Sequence, residues 1–307
     1  MWAYALRRGL AAIPTLFVIV TLAFFLMRVA PGGPFDAERT LPAEIEANIK
    51  AAYHLDKPLI VQYGIYVGNL LRGDFGPSYK YKDFTVGELI AAGFPVSLKI
   101  GGMAILLASL LGIAAGSLAA LRQNSRVDHL VMGFAMTGIA LPGYVVAPLL
   151  ALAFGVYLKW LPVAGWNTGG WREMVLPVTA LTLPYLAYIA RLTRGSMIEV
   201  LHANYIRTAR AKGLPMHRIL THHALKAALM PVVSFLGPAI AGIITGSVVI
   251  EQIFGLPGIG RYFVQGALNR DYTLVLGVVI FYAVLIMLLN LAVDLIYALL
   301  DPRVRYR

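Results

Sequence analysis

Apolar runs fenced by charged residues set the pattern of this chain. Six stand out: Gly9 to Met27, Ile100 to Leu121, Leu130 to Leu158, Met174 to Ala190, Ala227 to Ile250, and Tyr272 to about Leu300. Each reaches or approaches the roughly 20 residues that a helix needs to cross about 30 Å of hydrocarbon. The pattern predicts an all-α membrane protein with six transmembrane helices. Pro142 and Pro148 in the third run, and Pro231 and Pro238 in the fifth, predict helices that kink or begin later than the charge fences. The first run follows Arg7-Arg8 but exceeds the roughly 7 to 15 apolar residues of a signal peptide, so it reads as a retained helix.

Arg191 to Lys226, between the fourth and fifth runs, follows another rule. Ile198, Leu201, Tyr205 and Ala209 share one helical face, Arg207 and Arg210 turn away, and Gly213-Leu214-Pro215 stops the helix. Met216, Ile219, Leu220, Ala224 and Ala227 then repeat the pattern. This predicts two amphipathic pieces joined by a turn, with a face for water or a partner. The stretch after the first run is also patterned. Leu41-Pro42-Ala43-Glu44 opens a helix with proline near its start and acids in its first turn, Ile45, Ile49 and Tyr53 share a face, and aromatics follow at Tyr63, Tyr66, Phe75, Tyr79 and Tyr81. Residues 30–96 therefore read as a small folded cap that packs on the bundle or receives a partner.

Composition supports the membrane reading, since 59% of residues are hydrophobic and 13% charged against about 25% charged in soluble domains. A single domain, 1–307, is expected, because stacked spans form one bundle. The net charge of +11 follows from where the cations sit. One side holds Arg7, Arg8, Arg122, Arg126, seven Lys/Arg of the basic segment, Arg303, Arg305 and Arg307; the short loops opposite hold only Lys159, Arg172, Arg261 and Arg270. Cations concentrate on the cytoplasmic side, which predicts cytoplasmic termini, an external cap, a cytoplasmic loop at 194–226 and no nucleic-acid partner.

Catalytic chemistry is not visible. No phosphate-cradling Gly-x4-Gly-Lys-Ser/Thr occurs, so ATP is not expected to bind here, and Gly255 to Gly260 lacks dinucleotide-binding spacing and reads as an external turn. His217, His222 and His223 have no carboxylate or cysteine beside them at ligand spacing, so neither metal nor cofactor is expected, and with no cysteine there is no thiol nucleophile. Asp294 interrupts the last run beside Asn290; it reads as a helix–helix hydrogen bond or a pathway group. Glu251, at the outer end of the fifth run, reads as lining an entrance or forming a surface pair. Gly112/Gly116 and Gly242/Gly246 permit close helix approach, within the chain or between subunits.

The basic segment resembles the coupling loop of binding-protein-dependent ABC importers, which opens with Glu-Ala-Ala and has a glycine six residues after its first position. Here those positions are Arg207, Thr208, Ala209 and Gly213, so arginine replaces the glutamate, a departure familiar in the peptide branch. Further stretches resemble the B-type permease subunits of oligopeptide and dipeptide importers: Arg7-Arg8 with Ala12 to Leu16, Arg28 to Gly32, Gly73 to Gly76, Arg194 to Met197, Arg207 to Gly213, His223 to Lys226, and Glu251 to Gly258. The resemblance implies an assembly of this chain with a homologous second permease, two ABC ATPase subunits that bind ATP and Mg, and an external peptide-binding protein, in a bacterial inner membrane. It also implies that Tyr205, Ile206, Arg207, Thr208, Ala209, Arg210, Ala211, Lys212 and Gly213 couple the membrane spans to the ATPase, with Tyr205 and Ile206 facing its groove. Dipeptides, nickel or glutathione on the same scaffold, or an ion-driven secondary transporter, are the competing readings.

Overall fold

The structure is a computed structural model that describes residues 2–29, 55–81, 83–244 and 248–300; side chains at 2–6, 8, 294 and 296–300 fall outside the described set. The helix expected from Leu41, Gly246 and the terminal arginines also lie outside it.

Among the described residues there are twelve helical stretches and no strand. In chain order they are α1 (Trp2–Val29), α2 (Leu59–Leu70), α3 (Val86–Leu121), α4 (Arg126–Ala140) and α5 (Gly143–Leu150, continued by a π-helical turn, Ala151–Tyr157). Then come α6 (Trp171–Leu201), α7 (Asn204–Ala211), α8 (Met216–Arg218, a π turn over Ile219–Ala224, and Leu225–Ala228), α9 (Met230–Ile244), α10 (Val248–Ile253), α11 (Ile259–Leu268) and α12 (Tyr272–Leu300).

Five segments are long and apolar enough to cross a membrane: Gly9–Val29, Val86–Leu121, Trp171–Leu201, Met230–Ile253 and Tyr272–Val293. The third apolar run is not one straight span. It breaks by 102° between α4 and α5, because Leu141 stands before Pro142 in an extended conformation, φ −98 and ψ 118, as residues before proline prefer. Counted as one bent pair, it brings the candidate spans to six. The fifth run starts at Met230, not Ala227, with Pro231 in the first helical turn, where its missing N–H costs nothing.

The second span is longer than its apolar run. Thr85 and Glu88 form a reciprocal capping box that starts α3 at Val86, so its 36 residues extend about 54 Å at 1.5 Å per residue. Residues 86–96, read as part of the outer cap, belong to the same helix as the span.

The bundle centres on α3 against α6. Gly116 faces the Ala190 carbonyl and Thr193, and a Cβ at Gly112 would lie 2.9 Å from Ile189 side-chain atoms. The Gly112/Gly116 pair thus serves packing within the chain. Ile100, Ala104, Leu176, Leu181, Ile243, Phe254 and Leu256 form the main apolar core around this contact. α1 is peripheral: it packs on α12, and only 11% of its apolar window is buried.

Candidate functional site

The basic segment folds as two short helices on one end of the bundle. α6 stops at Leu201, and the turn through His202 and Ala203 resets the helical phase before α7 begins at Asn204. Tyr205 therefore does not continue the Leu201 face. Ile206 takes that place: it is fully buried with Met197, Leu201, Ala209, Ile219, Ala224 and Ala228, while Tyr205 is 49% exposed. Of the two residues expected to face a partner, only Tyr205 is available; Ile206 seats α7 on its own chain. Removing such a side chain from water stabilises by about 2 kcal/mol.

The end of α7 is closed by a Schellman motif. The Leu214 N–H donates to the Ala209 carbonyl at 3.3 Å and the Gly213 N–H to the Arg210 carbonyl at 2.9 Å, with Leu214 packed on the same apolar cluster as Ala209. Gly213 has φ +75 and nothing within 4 Å of an added Cβ, so glycine is needed there for conformation and not for space. Pro215 then starts α8. Its π turn places Ile219 and Ala224, five apart, together in the core, since one turn there takes an extra residue. Met216, expected on the buried face, lies outside it and is 42% exposed.

What remains outward carries cations and no acid. Tyr205, Arg207, Thr208, Arg210, Ala211, Lys212, Met216, Arg218 and Lys226 are exposed, and no Asp or Glu occurs from 200 to 226. This face can accept a partner that offers acidic groups and a recess for an aromatic ring. Behind it, Arg194 of α6 makes a two-pronged ion pair with Asp128, Nε to Oδ1 and a terminal nitrogen to Oδ2, both 2.6 Å. Asp128 is buried, also accepts the Asn124 N–H at 2.9 Å, and has its own N–H held by Ser125. The pair ties the start of α4 to α6 about two turns before α6 ends at Leu201. Sequence reading missed it, although Ser125 three residues before Asp128 is a recognisable cap signature.

The opposite end is held by buried carboxylates. Glu251 is 3% exposed, so it is no surface residue: it accepts the Ser97 hydroxyl at 2.7 Å and the Arg261 N–H at 3.2 Å. Ser97 in turn accepts the Ile259 N–H at 3.0 Å. The carboxylate thus sits at the N-terminus of α11, where the helix dipole favours it, and Gly258 packs directly against its oxygens. Asp271 is fully buried and caps α12 through the Leu274 N–H at 3.1 Å, while accepting the Ser78 hydroxyl and the Lys80 N–H from the loop before α3. That loop is packed on the bundle. Asp294 lies in α12, but its side chain is outside the described residues. Among the described residues no group of three His, Cys, Asp or Glu has metal-holding geometry.

The family described as binding-protein-dependent transport system inner membrane component matches residues 112–306. The chain belongs to this family. Relatives agree: this inner membrane component is 60% identical over its whole length, and the relative's, to the oligopeptide transport system permease protein OppB of Salmonella typhimurium strain LT2. It is 57% identical, again end to end, to the protein of that name in Haemophilus influenzae. To the dipeptide transport system permease protein DppB of Bacillus subtilis strain 168 it is 46% identical over 99% of this chain and 98% of the other. Its fold is shared with a chain of the MetNI methionine ABC transporter in inward-facing conformations, with a TM-score of 0.56 and 17% identity over 69% of this chain and 96% of the other. As a member of this family it is a permease component and not itself an ATPase.

Proposed function

We propose that this chain is a permease subunit of an ATP-driven importer of oligopeptides. The observation that carries the reading is end-to-end identity of 60% with a relative named as an oligopeptide permease, against 46% for one named for dipeptides. The partners are a homologous second permease, two ABC ATPase subunits and an external peptide-binding protein. The membrane is the bacterial inner membrane, and the excess of cations supports cytoplasmic termini and a cytoplasmic α7–α8 face.

In this reading Tyr205 to Gly213 couples ATP hydrolysis to transport. Tyr205 enters a recess on an ATPase subunit while Arg207, Arg210 and Lys212 meet acidic groups around it. Ile206 keys α7 to the end of α6, and Arg194–Asp128 ties α6 to α4. When the ATPase pair closes, α7 is carried as a rigid piece and tilts the spans behind it, switching access from one side to the other. The loop at 73–81, braced by Asp271, lies at the outer end of the bundle.

Reconstitution tests the assignment. The complete assembly in liposomes is expected to accumulate oligopeptide only with ATP and binding protein, and the ATPase subunits are expected to copurify with this chain in mild detergent. Peptide uptake by this chain alone under an ion gradient, without ATP, would overturn it in favour of a secondary transporter.

A further inference from the structure

A cavity of mixed polar and apolar lining, far from the basic face, is left unused by the transport reading. It lies where the end of α1 meets α2, the loop at 73–79 and the start of α12, encloses about 160 Å3, and is lined in part by Phe24, Arg28, Gln62, Tyr66, Asn69 and Asp74. Three lining residues bring buried polar atoms without a hydrogen-bond partner among the described residues: Arg28 Nε, Gln62 Oε1 and the Tyr66 hydroxyl. Buried polar atoms are almost always paired, so three around one cavity point to something that fills it.

The lining fixes the chemistry of the occupant. The Gln62 amide nitrogen donates to the carbonyls of Leu55 at 3.3 Å and Lys57 at 2.7 Å, which leaves its oxygen as an acceptor awaiting a donor. Asp74 adds a carboxylate, one oxygen of which accepts the Gly76 N–H at 2.8 Å. Arg28, with its guanidinium 5.2 Å from the centre of the Phe24 ring, and Tyr66, whose hydroxyl burial pushes well above the usual tyrosine range, are donors. The cavity therefore suits a group carrying both an anion and a hydrogen-bonding cation.

Its place says where that group comes from. Arg28 stands at the end of the 21-residue apolar segment Gly9–Val29, which spans about the hydrocarbon thickness, so the cavity lies at headgroup depth. On the same helix Leu22, Leu26 and Val29 are exposed and available to acyl chains. α2, apolar and too short to cross, is held against α1 by Phe24, Tyr63 and Tyr66 at ring separations of 5.4 and 5.6 Å, and by a 2.6 Å hydrogen bond between Thr21 and Tyr63. We propose that this cavity binds the headgroup of a phospholipid bearing a primary ammonium, its phosphate held by Arg28 and Tyr66 and its ammonium by Gln62 Oε1 and Asp74. The inference rests on α1 as a membrane span and stands whatever solute the assembly carries. All four residues precede the part matched by the family, 112–306.

The test is lipid retention by the full chain, purified with its partner subunits, delipidated, and examined by native mass spectrometry. Phosphatidylethanolamine, phosphatidylcholine with the same acyl chains, and free phosphoethanolamine are added in turn. The ethanolamine lipid is expected to be retained about tenfold more than the choline lipid, whose trimethylammonium cannot donate to Gln62 or Asp74, the ratio expected from hydrogen bonds to a charged group. Free phosphoethanolamine is expected not to be retained, Asp74→Asn to reduce the preference, and Arg28→Gln to release both lipids. Equal retention of the two lipids, retention of neither, or retention of free phosphoethanolamine to the same extent would overturn the proposal. If Arg28→Gln does not fold, the unmodified assembly decides: its unfolding midpoint should rise more with the ethanolamine lipid, and identical midpoints would refute the site.

Discussion

The two ends of the bundle carry short helices folded back on the spans, and although the ion pair of Arg194 with buried Asp128 lies behind the first of them, the short helices themselves are fastened by opposite means. α7 and α8 are seated by an apolar cluster around Ile206, Met197 and Ile219, and no side chain caps the start of α7. α11 and the loop before α3 are fastened by buried carboxylates, Glu251 and Asp271, each accepting from more than one donor on different elements. Apolar contact is non-directional and tolerates small tilts, whereas a hydrogen-bonded knot holds one geometry and is costly when half-satisfied. Under the proposed coupling, the end that is carried by the ATPase rests on apolar contact, and the other is held by hydrogen bonds. The outward faces differ too: at the first end Arg207, Arg210 and Lys212 are exposed with no acid between 200 and 226, while at the second Glu251 and Asp271 are buried.

The sharpest way to break this contrast is to charge the apolar seat. Ile206→Asp buries a carboxylate with no partner in reach and is expected to cost about 3 to 5 kcal/mol. Trypsin should then cut at Arg207 to Arg218 well before the rest of the chain is attacked; uniform cutting would mean that the platform has no seat of its own. At the locked end, Glu251→Ala leaves the Ser97 hydroxyl and the Arg261 N–H without an acceptor, for about 3 kcal/mol. Glu251→Gln keeps one acceptor and should cost less than half as much, read from unfolding midpoints in detergent. Should the two variants melt alike, the carboxylate would not be the fastening.

Gly213→Val is milder. An added side chain meets nothing within 4 Å, so the cost is the left-handed conformation alone, about 1 to 2 kcal/mol, and Gly213→Asn should recover part of it. Smallest of all in stability is Tyr205→Ala, an exposed change expected to fall within about 0.5 kcal/mol.

The comparison also explains what was legible in the sequence. Spans show because hydrocarbon demands long uninterrupted apolar runs; the stop at Gly213 shows because few residues accept its φ. The phase reset at His202–Ala203 did not show, since no proline or glycine marks it, and it moved the buried position from Tyr205 to Ile206. The π turn in α8 likewise altered which apolar residues meet. The break at Leu141–Pro142 was announced by its proline, but not its 102° size. Least legible were the polar fastenings: Ser97 lies 154 positions from Glu251 and Arg194 lies 66 from Asp128, and local patterns are silent on pairs so far apart.

Under the proposed coupling, buried Ile206 faces its own chain and exposed Tyr205 faces the ATPase. The direct measurement is ATP-dependent peptide uptake by the complete assembly carrying Tyr205→Ala, beside its unfolding midpoint. Uptake is expected to fall at least about tenfold, the equivalent of 1.4 kcal/mol of lost contact, with the midpoint unchanged. Undiminished uptake with an unchanged midpoint would contradict it.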